Sequence, residues 1–321
     1  MKLLITGDWH LADKCPVNRT DEDYYATCID KLTQILEIAQ EFECEVLVQP
    51  GDFFDTHRTS DYIKSDIIQR LSTFTQQTHC EVVTVFGQHD LRFHSNRMNT
   101  PLHLLETAGV LHILTPETPL VYENDSEQVC LQGMSWNESD EQIKQGAIDI
   151  SKCSCTILVM HKMIVKNKLW DGQEEFFYGK NLFRRYPHDL FVCGDNHQSF
   201  TFSTKDEQRH VINCGSLLRS TSKQLEHKPI VYVYDTVTKE YEPILLQVAP
   251  VSECFFVDRI KKTKHIESEL EVFIRQIDGT LKIEGLDFLE TLEKVTEAAE
   301  IEKPVRKVIK QLLRSYVHEN D

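Results

Sequence analysis

"FVCGDNHQSF", residues 191–200, is an apolar run that stops at a glycine and then releases Asp195, Asn196 and His197. The same shape recurs along the chain. LLIT (3–6) runs into Gly7-Asp8-Trp9-His10, and VLVQ (46–49) into Gly51-Asp52. VVTVF (82–86) runs into Gly87-Gln88-His89-Asp90, and TILVM (156–160) into His161. The runs are short and β-rich, and several are apolar throughout, the pattern of strands buried on both faces. Helical spacing fills the gaps at 24–42, where Asp21 or Thr20 is placed to cap the start, and at 62–74. Strand–helix alternation of this kind implies an α/β layered core.

After about residue 200 the pattern turns to strands: FTFS, HVINC, PIVYVYD, EPILLQV and ECFFVD. From about 263 it becomes helical and charged. EKPVRKVIKQLLRSYV (302–317) carries an apolar stripe from Val305 to Tyr316 with Arg306, Lys307, Lys310 and Arg314 beside it. A boundary near residue 250 divides the chain into 1–250 and a smaller region, 251–321. There are no internal repeats and no low-complexity segments.

The chain has 321 residues, 40% of them hydrophobic, and only ten Pro and twelve Gly, the composition of a compact soluble protein. No apolar run is long enough to span a membrane, and the first residues are too weakly apolar for a secretory signal. Of the ten cysteines, Cys130, Cys193, Cys214 and Cys254 sit inside strand-like runs, where a thiol acts as a small hydrophobe. A reducing, cytoplasmic setting is the expectation. The net charge of −16 gives no general attraction to phosphate backbones, so any contact with nucleic acid must come from local basic patches, bound cations or a partner.

Active sites of open α/β sheets gather at the carboxyl ends of strands, so the groups released there should converge. Asp8 and His10 are two apart in an extended segment and point the same way. Carboxylates mixed with imidazoles suit Mn²⁺, Fe²⁺ or Zn²⁺. Singly, each signal also reads as an ordinary turn or a hydrogen-bonded histidine. Five in order, each at the end of a strand-like run, are not explained as turns.

The series D-x-H, G-D, G-N-H-D, H, G-H-x-H is the signature of calcineurin-like metallophosphoesterases, which this chain resembles. Within them it is similar to the SbcD-type nuclease subunits of DNA double-strand-break processing complexes, phage recombination endonuclease subunits included. DWHL (8–11), GDFFDTHR (51–58), NCGSLLRST (213–221) and KPIVYVYD (228–235) carry that likeness, which covers roughly residues 1–250. The resemblance implies a layered β-sandwich core flanked by helices, with a small C-terminal α/β capping or helical region. It implies a two-metal DNA exonuclease and endonuclease, taking Mn²⁺ first and Mg²⁺ as the alternative. Carried over by position, Asp8, His10, Asp52 and His197 hold one ion, and Asp52, Gln88, His161 and Asp195 hold the other. His89 would act on the phosphate and Asp90 would orient it. The family also implies DNA and an SMC-like ATPase subunit as partners, the latter docking on C-terminal helices such as 305–316, and homodimers are common in it. An apolar helix face that packs on its own domain is the simpler reading of that stripe.

Two departures touch the second ion: Gln88 stands for asparagine and Asp195 for histidine. Both retain oxygen donors, which would shift that site toward Mn²⁺ or Mg²⁺; the alternative is that Asp195 is a turn residue and the ion is lost. Arg58 and Arg92 are the first candidates for DNA phosphates, with His57, His94, Arg97, Arg219 and Lys223 behind them. The competing functions are a phosphatase or small-molecule phosphodiesterase of the same fold, and a catalytically decayed scaffold subunit.

Overall fold

The computed structural model describes residues 1–123, 127–145, 152–169 and 173–262. The chain divides into two compact units, Met1–Pro250 and Val251–Asp321. In chain order the first unit holds β1 (Lys2–Ile5), α1 (Tyr24–Glu41), β2 (Val46–Gln49), α2 (Asp61–Thr78), β3 (Glu81–Thr84), α3 (Pro101–Thr107) and β4 (His112–Ile113). There follow β5 (Leu120–Glu123), β6 (Gln128–Met134), α4 (Asp140–Gln145), β7 (Cys155–His161), β8 (Ile164–Val165), β9 (Phe177–Tyr178) and α5 (Gly179–Arg185). The unit closes with β10 (Leu190–Gly194), β11 (Phe200–Ser203), β12 (His210–Asn213), β13 (Ile230–Asp235) and β14 (Tyr241–Leu245). The second unit is described only at its start, where α6 spans Val251–Cys254.

Two six-stranded sheets run in the orders β14-β13-β1-β2-β3-β4 and β11-β12-β10-β7-β6-β5. In each, a parallel centre is bordered by antiparallel strands: β13 on β1 in the first, β11 and β5 at the edges of the second. The period of two along each strand sorts side chains to opposite faces. Leu3, Ile5, Val46, Val48 and Val83 meet Leu131, Ile157, Val159, Leu190 and Val192 in the core between the sheets. Their neighbours Leu4, Leu47 and Val82 face outward beneath Leu32 and Ile35 of α1 and Ile67 and Leu71 of α2. On the second sheet's outer side, Leu158, Met160 and Phe191 pack with Leu182 of α5. Both faces of the central strands are thus covered, which is why those runs are apolar throughout. The architecture is a mixed α/β sandwich of helix, sheet, sheet and helix layers.

Three details differ from the sequence reading. The cap of α1 is Asp23, whose carboxylate accepts from the Ala26 N–H at 3.0 Å. Asp21 is instead held by the Arg19 guanidinium at 2.6 and 2.7 Å and by the Thr27 hydroxyl. ECFFVD is not a strand, since helix α6 ends within it. The stripe Val305–Tyr316 lies outside the described residues. Among the described residues no helix is long and apolar enough to cross a membrane. The ten cysteines are free, eight of them buried.

Ile157 is fully buried between the sheets. Ile157→Ala should lower the unfolding free energy by about 2–5 kcal/mol, since the rigid sheets cannot close the cavity. Val237→Ala, at a position 68% exposed, should change it by less than about 0.5 kcal/mol. Urea denaturation of both variants measures the contrast.

A candidate metal centre at the strand ends

The exits of five parallel strands, β1, β2, β3, β7 and β10, are stitched together by main-chain hydrogen bonds. The N–H groups of Trp9 and His10 donate to the Asp52 carbonyl at 3.1 and 2.9 Å, tying the first exit to the second. Asp8 donates its N–H to the Gly215 carbonyl at 3.2 Å, and its own carbonyl accepts from Leu217 at 2.8 Å. So the segment NCGSLLRST is a brace under the first aspartate. Three residues at these exits sit in the left-handed region: His10 at φ 45°, Asp52 at 50° and Asp195 at 72°. Backbone strain of about 1–3 kcal/mol at such positions persists only where the surroundings enforce it, and it clusters at functional sites. Glycine is required where the exits crowd: a methyl on Gly87 would lie 2.0 Å from Asp52 Oδ1.

Asp52 is completely buried. Its Oδ1 accepts from the His89 N–H at 2.9 Å. Its Oδ2 has no hydrogen-bond donor and lies 3.4 Å from His161 Nε2 and 3.6 Å from His10 Nε2. Asp8 is similar: Oδ2 accepts from the Asp195 N–H at 3.0 Å, while Oδ1 is buried without a donor. His161 donates from Nδ1 to the Pro50 carbonyl at 2.7 Å, which turns Nε2 inward toward Gln88 Oε1 at 2.8 Å. Gln88 in turn donates from Nε2 to Asp195 Oδ1 at 3.0 Å. His10 and His197 face each other Nε2 to Nε2 at 3.1 Å. In the neutral state that fixed tautomer of His161 sets a lone pair against the Gln88 oxygen. Lone pairs turned on one another, beside buried carboxylate oxygens without donors, need protons or a cation between them.

Three overlapping groups have ligand atoms close enough for one ion: Asp8/His10/His197, Asp8/Asp52/His161 and His10/Asp52/His89. All the sequence-derived candidates at the strand ends therefore come together, with Gln88 and Asp195 joined to the second group through His161 and Asp8. The donor set of carboxylates, imidazoles and one amide fits a divalent ion. The inward Nε2 of His161, oriented by a carbonyl on its other nitrogen, is the usual arrangement of a metal-ligating histidine.

Charge confirms the fit. Burial, only partly offset by His161, pushes Asp8 up to about 7. Burial would raise Asp52 too, but His161 and then His10 hold it well below the ordinary carboxylate range. His161 rises to about 10 and His10 to about 9: burial opposes both shifts, but Asp52 and Asp8 outweigh it at His161, and Asp55, Asp52 and Asp8 at His10. Desolvation and the neighbouring His10 keep His197 low, at about 4. Without a metal, two imidazolium ions supply the countercharge that a divalent cation would otherwise bring.

The surroundings correct several expectations. Asp90 does not reach the His89 ring. Its buried carboxylate accepts the N–H groups of Phe53, Phe54 and Gly87 at 3.0–3.2 Å, so it shapes the loops after β2 and β3. The His89 ring donates from Nδ1 to the Asp55 carbonyl at 2.7 Å, while the Asp55 carboxylate lies 3.4 Å from His10 Nδ1. Arg219 is buried and donates to the Leu225 and Ala249 carbonyls, so it braces a loop and faces no phosphate. Arg97 is paired with Glu138. Arg58 and Arg92 are exposed. Sequence reasoning missed Asp55, for which only its place in GDFFDTHR was a signal. It also missed Asn213, which donates to the Asn196 and Gln198 carbonyls and fixes the turn bearing Asp195 and His197. Gln49, bonded to Gly51 and Thr84, gave no signal at all.

Residues 1–199 match the model of the calcineurin-like phosphoesterase family, and the chain belongs to that family. The SbcD subunit of the SbcCD nuclease of Escherichia coli K12 is 31% identical over 90 residues, 28% of this chain and 21% of the relative; its counterpart in Escherichia coli O157:H7 gives the same figures. The match thus spans about a fifth of these curated relatives. Among solved structures, the protein TT1561 of Thermus thermophilus aligns at a TM-score of 0.49 and 10% identity, covering 77% of this chain and 99% of that one. A dimetal phosphatase from Danio rerio aligns at 0.44 and 11%, with the same coverage.

The charge balance predicts how the metal-free protein responds to pH. His10 and His161 titrate at about 9 and 10 against an ordinary 6.5, so the folded chain binds extra protons across that window. Their stabilisation is complete below pH 6.5 and is lost as pH rises through 9 and 10. Asp8, raised from 3.8 to about 7, acts in the same direction at lower pH, while His197 opposes it between about 4 and 6.5. Calorimetric melting in chelator should show Tm falling steadily from pH 6.5 to 10. Saturating Mn²⁺ should flatten that slope, because the cation replaces the protons.

Proposed function

We propose that this calcineurin-like phosphoesterase is a two-metal-dependent DNA nuclease subunit with exonuclease and endonuclease activity, working in repair or recombination beside an SMC-like ATPase. The observation that carries the metal chemistry is the convergence of two donorless, buried carboxylate oxygens, on Asp8 and Asp52, with His10, His161 and His197. Asp8, His10, Asp52 and His197 would hold one ion, and Asp52, Gln88, His161 and Asp195 the other. Bound divalent ions, Mn²⁺ or Mg²⁺, supply charge neutralisation at the phosphate and a water of lowered pKa. His89 does the protein's share of proton handling. Its ring is exposed, and the Asp55 carbonyl holds Nδ1, leaving Nε2 to serve the leaving oxygen.

DNA is favoured over a small phosphoester by the exposed cations Arg58 and Arg92 on the loops after β2 and β3. They gather near enough to His57, with His94, to hold its pKa below the ordinary value alongside the effect of burial. These are the local cations an acidic chain needs in order to accept a polyanion. The partial likeness to the SbcD subunit of the SbcCD nuclease supports the same reading and is the source of the ATPase partner. In this reading 1–250 is the nuclease domain and 251–321 the capping and docking region. The net charge of −16 favours the second reading, a phosphatase or small-molecule phosphodiesterase on the same centre.

Mn²⁺ titration calorimetry on metal-free protein tests the centre: two ions in the wild type and one in Asp195→Ala make Asp195 a ligand. One ion in both would end the two-metal reading. His89→Ala should retain both ions and lose about 10²–10⁴-fold in cleavage rate on linear DNA. Near-normal cleavage by that variant would remove His89 from the mechanism, and loss of an ion would recast it as a ligand.

A further inference from the structure

The loop after β3 carries a feature that proton transfer and metal binding do not use. Arg92 and Asn96 exchange main-chain hydrogen bonds at 3.0 Å in each direction, pinching residues 93–95 into a tight hairpin. At its tip Phe93 and His94 both adopt left-handed backbone, each at φ 55°. Neither residue type favours that region, and here it holds a phenylalanine ring out in water, 71% exposed. The ring is flanked by cations and imidazoles. The Arg92 guanidinium lies 5.2 Å from its centroid, and the His57 ring 6.5 Å away. Next to it, His94 packs on Trp136 at 5.6 Å, and that indole is itself 37% exposed. Trp136 is anchored at the rim of the centre: its N–H donates to the Phe86 carbonyl, immediately before Gly87, and the Lys162 ammonium donates to the Trp136 carbonyl. Phe93 stands four residues from His89.

Exposed rings interleaved with arginines beside a phosphate-handling centre are the elements of a stacking platform for unpaired bases. An apolar protein partner would be opposed by the positive charge of Arg58 and Arg92 in the same patch, whereas a nucleotide strand is complementary to both components. We propose that Phe93, with Trp136 and His94 behind it, stacks on an unpaired nucleobase one or two nucleotides from the scissile phosphate, while Arg92 and Arg58 take the flanking phosphates. The inference rests on the DNA-nuclease reading and deepens it: the substrate engaged is a frayed or single-stranded segment. The bases of a closed duplex are stacked on each other and offer no free face.

The test is fluorescence anisotropy of nuclease-resistant phosphorothioate oligonucleotides on Mn²⁺-loaded wild type, Phe93→Ala and Phe93→Tyr, with Mn²⁺ stoichiometry and Tm verifying that each variant is intact. One oligonucleotide is single-stranded, and its twin has abasic residues at the same positions. The expected result is a loss of about 5- to 100-fold in affinity for the normal strand in Phe93→Ala. Phe93→Tyr should bind close to wild type, and the abasic strand should bind weakly and equally to all three. If wild type and Phe93→Ala bind the normal strand alike, or wild type does not distinguish it from the abasic strand, stacking is overturned while the nuclease reading stands. If wild type binds neither strand, the nucleic-acid reading falls and the platform with it.

Discussion

Buried carboxylate oxygens without donors are expensive, and this protein holds two of them, Asp8 Oδ1 and Asp52 Oδ2, at the closed end of a close-packed sandwich. Such atoms persist only if the rest of the fold prevents escape. The restraint is visible in the main chain. The Asp52 carbonyl is occupied by two N–H groups from the first strand exit, and Asp52 itself is held at a positive φ. Gly87 leaves no room for the Asp52 side chain to swing away. Asp90 locks the two adjoining loops from below with three main-chain hydrogen bonds. Stability has been traded locally for a geometry that only a cation completes.

Much of this was legible beforehand, for a physical reason. A strand buried on both faces must be apolar throughout, so a polar residue released at its end is conspicuous, and parallel strands bring their ends to one side. Asp8, Asp52, His161 and His197 could all be read that way. What was not legible depends on partners distant in sequence. Arg219 looks like a free cation until the Leu225 and Ala249 carbonyls fold over it. Asp90 looks like the natural partner of His89, its neighbour in the chain, but adjacent side chains diverge, and its carboxylate serves the backbone. The short strands β4 and β5 carry no distinctive period because each has one weakly covered face.

The strain and the exposed ring at residues 92–96 could not be foreseen from sequence either. Nothing in LRFHSN announces left-handed backbone, since neither Phe nor His prefers it. The hairpin is enforced by pairing between Arg92 and Asn96, a tertiary fact. The same holds at His10, Asp52 and Asp195. In each case a residue chosen for its side chain has been forced into a conformation it would not select alone.

The brace formed by residues 213–217 has a consequence for how the protein is made. Every candidate ligand has been synthesised once the chain reaches His197. Yet Asp8 leans on Gly215 and Leu217, and β1 remains an unpaired edge until β13, residues 230–235, arrives to cover it. A nascent chain therefore carries the complete set of ligands for some forty residues of elongation before the site can take shape. During that interval the carboxylates are solvated and cheap, and the metal is not yet needed. The late strand is what times the cost, so the burial of charge and the capacity to offset it appear together.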